Sequence, residues 1–382
     1  MQTHLESYLT EKIRREGDIS FSDYMDIVLY NNAFGYYTNS KKIFGPKGDF
    51  VTAPISSSLF GEAISNEFIN LSEDNPNLSI LELGGGDGSL ALSIISRLKN
   101  LDILPKHYII LEISEYLITI QKQKIKNQLP DLYDIFEWTN VLDKQKLNGL
   151  IIANEFFDAL PTERFRIKNK KIDSLYIGYE NNKLCYFWKS CNNSFYRELD
   201  IAKNNHEKLE YENYISELNL NYSKWISLLE GLLTSGVIFI IDYGYHSSEY
   251  FLKDRCDGTL VCMHNHTPNF NPLINIGRQD ISTFVNFTHI SNIAKSLNLL
   301  VDGYISQSSF LINLGILNIF EEKKYSEEQK IIELNRLKNL LLPNTMGEIF
   351  KVLVLKKNLD NQPLSTKKLN HLQTIIWILY TY

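Results

Sequence analysis

Short apolar runs, each followed by a stretch of helical periodicity, recur along the chain, as a parallel sheet wound with helices requires. Ile80–Leu83 opens the series and passes through glycines into the helical pattern LALSIISRL at 90–98. Tyr108–Glu112 (YIILE) is a continuous apolar run closed by an acid, followed by a helix over Glu115–Gln128 and a short strand near Ile135–Trp138. Gly149–Ala153 is read as the fourth strand, running into NEFFDALP, and Val237–Ile241 as the fifth, ending in Asp242-Tyr243-Gly244. A helix His289–Leu297, a strand near Leu299–Tyr304, a helix from Ser309 and a final strand Ile349–Leu355 follow. The pattern predicts a seven-stranded, Rossmann-like α/β sheet whose last two strands form an antiparallel pair.

Three stretches depart from that alternation. Residues 1–34 read as two helices, the second (Phe21–Tyr30) placing Met25, Val28 and Leu29 on one face. Ala33–Pro54 is rich in glycine and aromatics and too irregular for one element. It suits a lid or binding loop, or an aromatic-anchored connector. From Thr162 to about Ser235, strand-like runs separated by Asn/Lys turns predict an antiparallel excursion, with a helical part reaching Gly231. The expected division is an N-terminal extension (1–75), a core (76–161 and 236–357), an inserted subdomain (162–235) and a tail (358–382). The tail's apolar end, TIIWILYTY, is expected to dock on the core.

Composition narrows the class. The 382 residues are 44% hydrophobic and 22% charged, with a net charge of −6, as in a soluble globular chain with no general grip on nucleic acid. No apolar run reaches membrane-spanning length, and the N-terminus lacks a signal-peptide core, so a cytoplasmic location is expected. Cys185, Cys191, Cys256 and Cys262 suggest no disulfide framework. Cys256 and Cys262, with His264 and His266, lack the knuckle spacing of structural zinc, so no metal is expected. The sequence does not specify an oligomeric state.

Candidate chemistry begins at ELGGGDGSL, residues 82–90. A phosphate loop is excluded because no lysine follows the last glycine, and a dinucleotide fingerprint would need glycine where Ser89 stands. Glu82, Gly84, Gly86 and Gly88 instead match the ExGxGxG loop that binds S-adenosyl-L-methionine (SAM). Glu82 and Asp87, with no nearby base in the sequence, suit a ligand bearing an ammonium and a sulfonium. A glycine-rich surface turn is the alternative. Glu112, the acid ending the second strand, is expected to take the ribose hydroxyls.

A second constellation lies at the exit of the fourth strand. Asn154, Glu155 and Asp158 stand where open α/β sheets keep their ligand crevice, and one helical turn would bring both carboxylates to one side. Carboxylates there could orient a guanidinium and hold its charge during methyl transfer. Alternatively, Asn154 and Asp158 merely cap a tight turn. Asp242 and Tyr243, at the same sheet edge, could line an acceptor site or form a turn before glycine, and His266 could join them or be solvated.

With these pieces in order the chain resembles the MidA family, bacterial relatives of a mitochondrial complex I assembly factor that methylates arginine. The matches include GYY (Gly35–Tyr37), FGPKGDFVTAP (Phe44–Pro54), ELGGGDGSL, LPKHYIILEIS (Leu104–Ser114), ANEFFDALP (Ala153–Pro161), IDYG (Ile241–Gly244), GTLVC (Gly258–Cys262), DISTFVNF (Asp280–Phe287) and MGEIFKVL (Met346–Leu353). The resemblance implies a class I SAM-dependent methyltransferase with SAM as cofactor. It also points to arginine in a protein partner as acceptor, with a respiratory complex I subunit as the candidate. Tyr37 joins Asp242, Tyr243 and His266 as a candidate substrate-binding residue. A SAM-binding assembly factor with little turnover is the alternative reading. Ile55, Asn265 and Thr267 depart from the family pattern, at positions bearing on the substrate rather than on the cofactor loop.

Overall fold

In the computed structural model of the protein, residues 4–367 are described except 39–52, 74, 76, 143–145, 205–208 and 210. Most of the irregular segment 33–54, including 44–52 of its family match, and the apolar tail 374–382 lie outside the described residues.

The strands of the main sheet are β1 (Ser79–Leu83), β2 (Tyr108–Leu111), β3 (Phe136–Thr139), β4 (Leu147–Asn154), β5 (Leu233–Tyr245), β6 (Leu300–Ser306) and β7 (Phe350–Lys357). They lie in the order β6-β7-β5-β4-β1-β2-β3. Neighbours from β3 to β5 are parallel, and β7 is antiparallel to both β5 and β6. A short strand, Val285–Asn286, pairs in parallel beside the end of β5. This is the expected class of sheet. Because the chain winds outward from β1 to β3 and then returns to place β4 beside β1, the strand order reverses between them. A crevice opens at their carboxyl ends.

The N-terminal helices are α1 (His4–Glu16) and α2 (Phe21–Tyr30), and those packed on the main sheet include α3 (Ser58–Ser72), α4 (Ser89–Asn100), α5 (Glu115–Gln128), α6 (Tyr222–Leu232) and α7 (Phe287–Ser296). Strand alternation sorts the core into two layers. Ile80, Ile110, Ile152 and Phe239 face α3 and α4, while Leu81, Leu83, Ile151 and Ile238 face α6 and α7. Each such fully buried side chain contributes on the order of 1.5–3 kcal/mol. Glu82 shares the Ile80 face of β1, so the pleat that buries its neighbours also buries its carboxylate.

The interrupting segment forms an antiparallel sheet of Glu163–Lys168, Lys171–Glu180, Lys183–Ser190 and Tyr214–Leu218. Its two tight hairpins turn on Asn169-Lys170 and Asn181-Asn182, all four at positive φ, as two-residue hairpins with the sheet's twist demand. Two features differ from the sequence division. Helix α6 falls within 162–235 but packs on the parallel sheet through Tyr222, Ile226 and Leu229, since its apolar stripe needs that face. Ile19–Ser20 joins the inserted sheet beside Ile177 and Tyr176, so α1 and α2 share a core with the insertion rather than standing apart. The loop after β5 folds into a three-stranded sheet of Val261–His264, Thr267–Asn269 and Asp280–Ser282. Among the described residues no helix is long and apolar enough to cross a membrane.

Candidate active site

Three glycines shape the turn between β1 and α4. Gly84, Gly86 and Gly88 have φ of 71°, 52° and 80°, in the left-handed region that side chains bearing a Cβ resist. Gly88 is the residue before α4, so the turn delivers the first helical N–H groups toward the carboxyl edge of the sheet. Gly84 and Gly86 line a cavity of about 470 Å³, within the range of small-molecule sites, and Gly88 stands behind it against Gln121.

Two acids meet this loop. Glu82 is buried and accepts the Tyr108 hydroxyl at 2.7 Å. Burial pushes its carboxyl up to about 8 against the opposing effect of that hydrogen bond. Glu112, just past β2, accepts the backbone N–H groups of Ile113 and Ser114, both at 3.0 Å, and the Gln121 amide at 3.3 Å. Burial raises it as well, opposed chiefly by the Ser114 N–H. Both line the cavity. The expectation that Asp87 has no nearby base fails in space: Lys124, one strand and half a helix away, reaches Asp87 at 2.8 Å and Ser89 at 2.6 Å. Among the described residues, that pairing leaves Glu82 and Glu112 as the acids with no cationic hydrogen-bond or ion-pair partner at this end.

The exit of β4 supplies the far wall. Asn154, Glu155 and Asp158 all line the cavity, but not by the helical turn expected. Glu155 takes φ 50° while its N–H still bonds Ile241 carbonyl at 2.9 Å, and bends and a turn carry the chain to Leu160. A non-glycine residue in that conformation stores on the order of 1–3 kcal/mol of strain. Its carboxylate receives Asn154 Nδ2 at 3.3 Å, and burial followed by the nearby Asp158 charge pushes it up to about 8. Asp158 is raised by burial, with the Tyr243 hydroxyl that donates to its Oδ2 pulling the other way. Asn154 Oδ1 and Asp158 Oδ1 are buried without a hydrogen-bond partner among the described residues. Buried acceptors left so are costly unless a ligand meets them.

Of the residues expected on the substrate side, Tyr37 and Tyr243 line this cavity, whereas Asp242 and His266 do not. Asp242 lies behind the wall, fully buried, with Oδ2 accepting the N–H groups of Phe157 and Asp158 and Oδ1 that of Tyr243. It braces the β4 exit and is raised well above its ordinary range, by burial first and then by Asp158 and Glu155. His266 is exposed and, with Asn265, turns the Val261–Asn269 hairpin at positive φ. Among the described residues no cluster of histidine, cysteine and acidic side chains could hold a metal ion.

Residues not singled out from the sequence complete the wall. Tyr30 stacks on Tyr37 (ring centres 5.5 Å apart) and donates to Ala159 carbonyl at 2.8 Å, and Tyr37 donates to Asp280 at 2.7 Å. Tyr30 and Asp280 therefore close the cavity from α2 and from the three-stranded sheet. Only DISTFVNF offered a signal for Asp280, and Tyr30 on its apolar helix offered none. The site fits a ligand with a nucleoside and a cationic end. A glycine turn and helix N-terminus adjoin the deep acid Glu112, and the carboxylates of the β4 exit stand on the far wall of the same cavity.

A family model described as S-adenosyl-L-methionine-dependent methyltransferase matches residues 59–305. The chain is 27% identical to Drosophila melanogaster "Protein arginine methyltransferase NDUFAF7 homolog, mitochondrial", over 94% of this chain and 87% of that protein. To the Homo sapiens protein arginine methyltransferase NDUFAF7, mitochondrial, it is 26% identical over 91% and 82%. Among solved structures, a Burkholderia thailandensis protein bound to S-adenosyl-homocysteine superposes with a TM-score of 0.88. That pair shares 26% identity and covers 97% of this chain and 96% of that one.

Proposed function

The chain belongs to the MidA family of SAM-dependent methyltransferases, and from that membership we propose that it methylates arginine in a protein partner, at the pocket formed by Asn154, Glu155 and Asp158. SAM, when bound, supplies an electrophilic methyl group on a sulfonium. The glycine turn at Gly84–Gly88 and Glu82 would hold its amino-acid end, and Glu112 its ribose hydroxyls. One observation carries the acceptor assignment: Asn154 and Asp158 line the same cavity as the glycine turn, and each keeps a buried oxygen, Oδ1, with no hydrogen-bond partner among the described residues. Acceptors so placed suit a guanidinium, which has five N–H donors in a planar fork and no acceptor of its own. Glu155 and Asp158, both biased toward the protonated state while the cavity holds no cation, become better acceptors as a cation enters. They would orient the guanidinium for close, aligned approach and take up the proton released as the nitrogen is methylated.

The relatives, named as protein arginine methyltransferases, support arginine as acceptor and, through the resemblance to a complex I assembly factor, a complex I subunit as partner. A cytoplasmic site of action belongs to the same proposal. Incubation with labelled SAM and a purified complex I subunit, followed by peptide mass spectrometry, tests it. Methylarginine on the subunit is expected; label only on lysine or carboxylate overturns the acceptor class.

A further inference from the structure

Gln121, on the inner face of α5, is fully buried although its side chain ends in an amide. Its amide meets three separate parts of the molecule. Nε2 donates to Gly86 carbonyl at 2.9 Å and to Glu112 Oε2 at 3.3 Å, and Oε1 accepts the Trp138 indole N–H at 2.9 Å. The partners fix the amide's orientation: an indole N–H can only donate, and a carbonyl and a carboxylate can only accept. The glycine turn also rests on this side chain. A Cβ built on Gly85 would lie 3.0 Å from Nε2, and one on Gly88 would lie 3.3 Å from Cγ.

We propose that Gln121 is a positioning residue of the cofactor site, locking the glycine turn to Glu112 so that both reach one ligand in a single register. This rests on the reading that the turn and Glu112 hold SAM. No other side chain bonds both pieces in the hydrogen bonds above, and β3 anchors the amide through Trp138. Gln121 also gives Glu112 a hydrogen bond that favours its ionised form, the form that accepts two ribose hydroxyls. Losing Gln121 should therefore weaken binding in two ways, through a loosened turn at every pH and through a Glu112 that stays protonated to higher pH. The other charged groups facing this region are Glu82 on β1, Asp87 with its Lys124 partner, and Lys122 over the Trp138 ring. All are unchanged in the variant, so a ratio to wild type isolates Glu112.

The test is calorimetric titration of wild type and Gln121→Met with S-adenosyl-homocysteine at about pH 5.5 and about pH 8.5, beside a thermal melt of each. A loss of affinity that is about fivefold or more greater at the lower pH is expected, since one hydrogen bond to a charged group is worth about one pKa unit or more. No loss, or a loss equal at both pH values, overturns the proposal, because damage to packing alone carries no such pH dependence. Should Gln121→Met fail to fold, Gln121→Asn, one methylene too short to span the three partners, is read in the same way. Wild type that does not bind S-adenosyl-homocysteine would instead sink the cofactor reading itself.

Discussion

The Tyr243 hydroxyl donates to one oxygen of Asp158, a residue of the cavity wall, and the other, Oδ1, is buried without a partner among the described residues. Two neighbouring strands, β4 and β5, paired in parallel along their length, thereby set the ionisation of one acid at their carboxyl ends. Tyr243→Phe removes a hydrogen bond to a charged group, worth about 1.5–3 kcal/mol. The acid limb of the pH–rate profile should move up by about one unit, with S-adenosyl-homocysteine affinity unchanged. An unmoved limb would separate Asp158 from the rate.

Glu155→Gln keeps shape and removes charge. Turnover should fall by on the order of tenfold to a hundredfold, the scale of one charge-assisted hydrogen bond lost. Affinity for S-adenosyl-homocysteine should change by less than about threefold. Steady-state kinetics beside calorimetry decides it, and full turnover would take Glu155 out of the mechanism.

Gly86→Val should abolish S-adenosyl-homocysteine binding while circular dichroism stays that of the wild type. At φ 52° a β-branched residue is strained, and its methyl groups would stand in the cavity. Unchanged affinity in a folded variant refutes the loop assignment.

Glu112→Ala removes the acceptor of two backbone N–H groups and of Gln121 as well as the proposed ribose contact. Binding should weaken by on the order of 1–3 kcal/mol. Intact binding would mean that another acid holds the ribose.

Stability without ligand should fall as pH rises. Glu82 and Glu155, each ordinarily near 4.5, are both held up to about 8 by burial. The folded state thus binds their protons more tightly than the unfolded chain. Their contribution is complete below about 4.5 and is lost as pH climbs through about 8. Melting temperature should decline between those limits, and less steeply in Glu155→Gln. Equal slopes would show that Glu155 ionises freely.

Legibility followed locality. The glycine turn, Glu112 and the β4 exit are contiguous stretches whose chemistry shows in their order, and the Phe21–Tyr30 and Glu115–Gln128 helices carry caps at Ser20 and Ser114 that mark their starts. What stayed hidden depends on approach through space. Lys124 neutralises Asp87 from a helix whose exposed face reads as plain solvated charge. Tyr30 looks like core until the hairpins of the inserted sheet carry α2 to the crevice. Asp242 sits at the right strand end, but three backbone N–H groups claim it before any substrate can. His266 turns a hairpin away from the cavity lining, and a hairpin of two left-handed residues cannot be told from a loop by composition.

The left-handed backbone at Glu155 has a consequence for how this protein can be improved or inherited. Glycine or asparagine would occupy that conformation at less cost, so thermal selection alone should favour replacing the glutamate. Variants picked for heat resistance at this position would be the ones to lose turnover. Keeping glutamate there gives up melting temperature for chemistry.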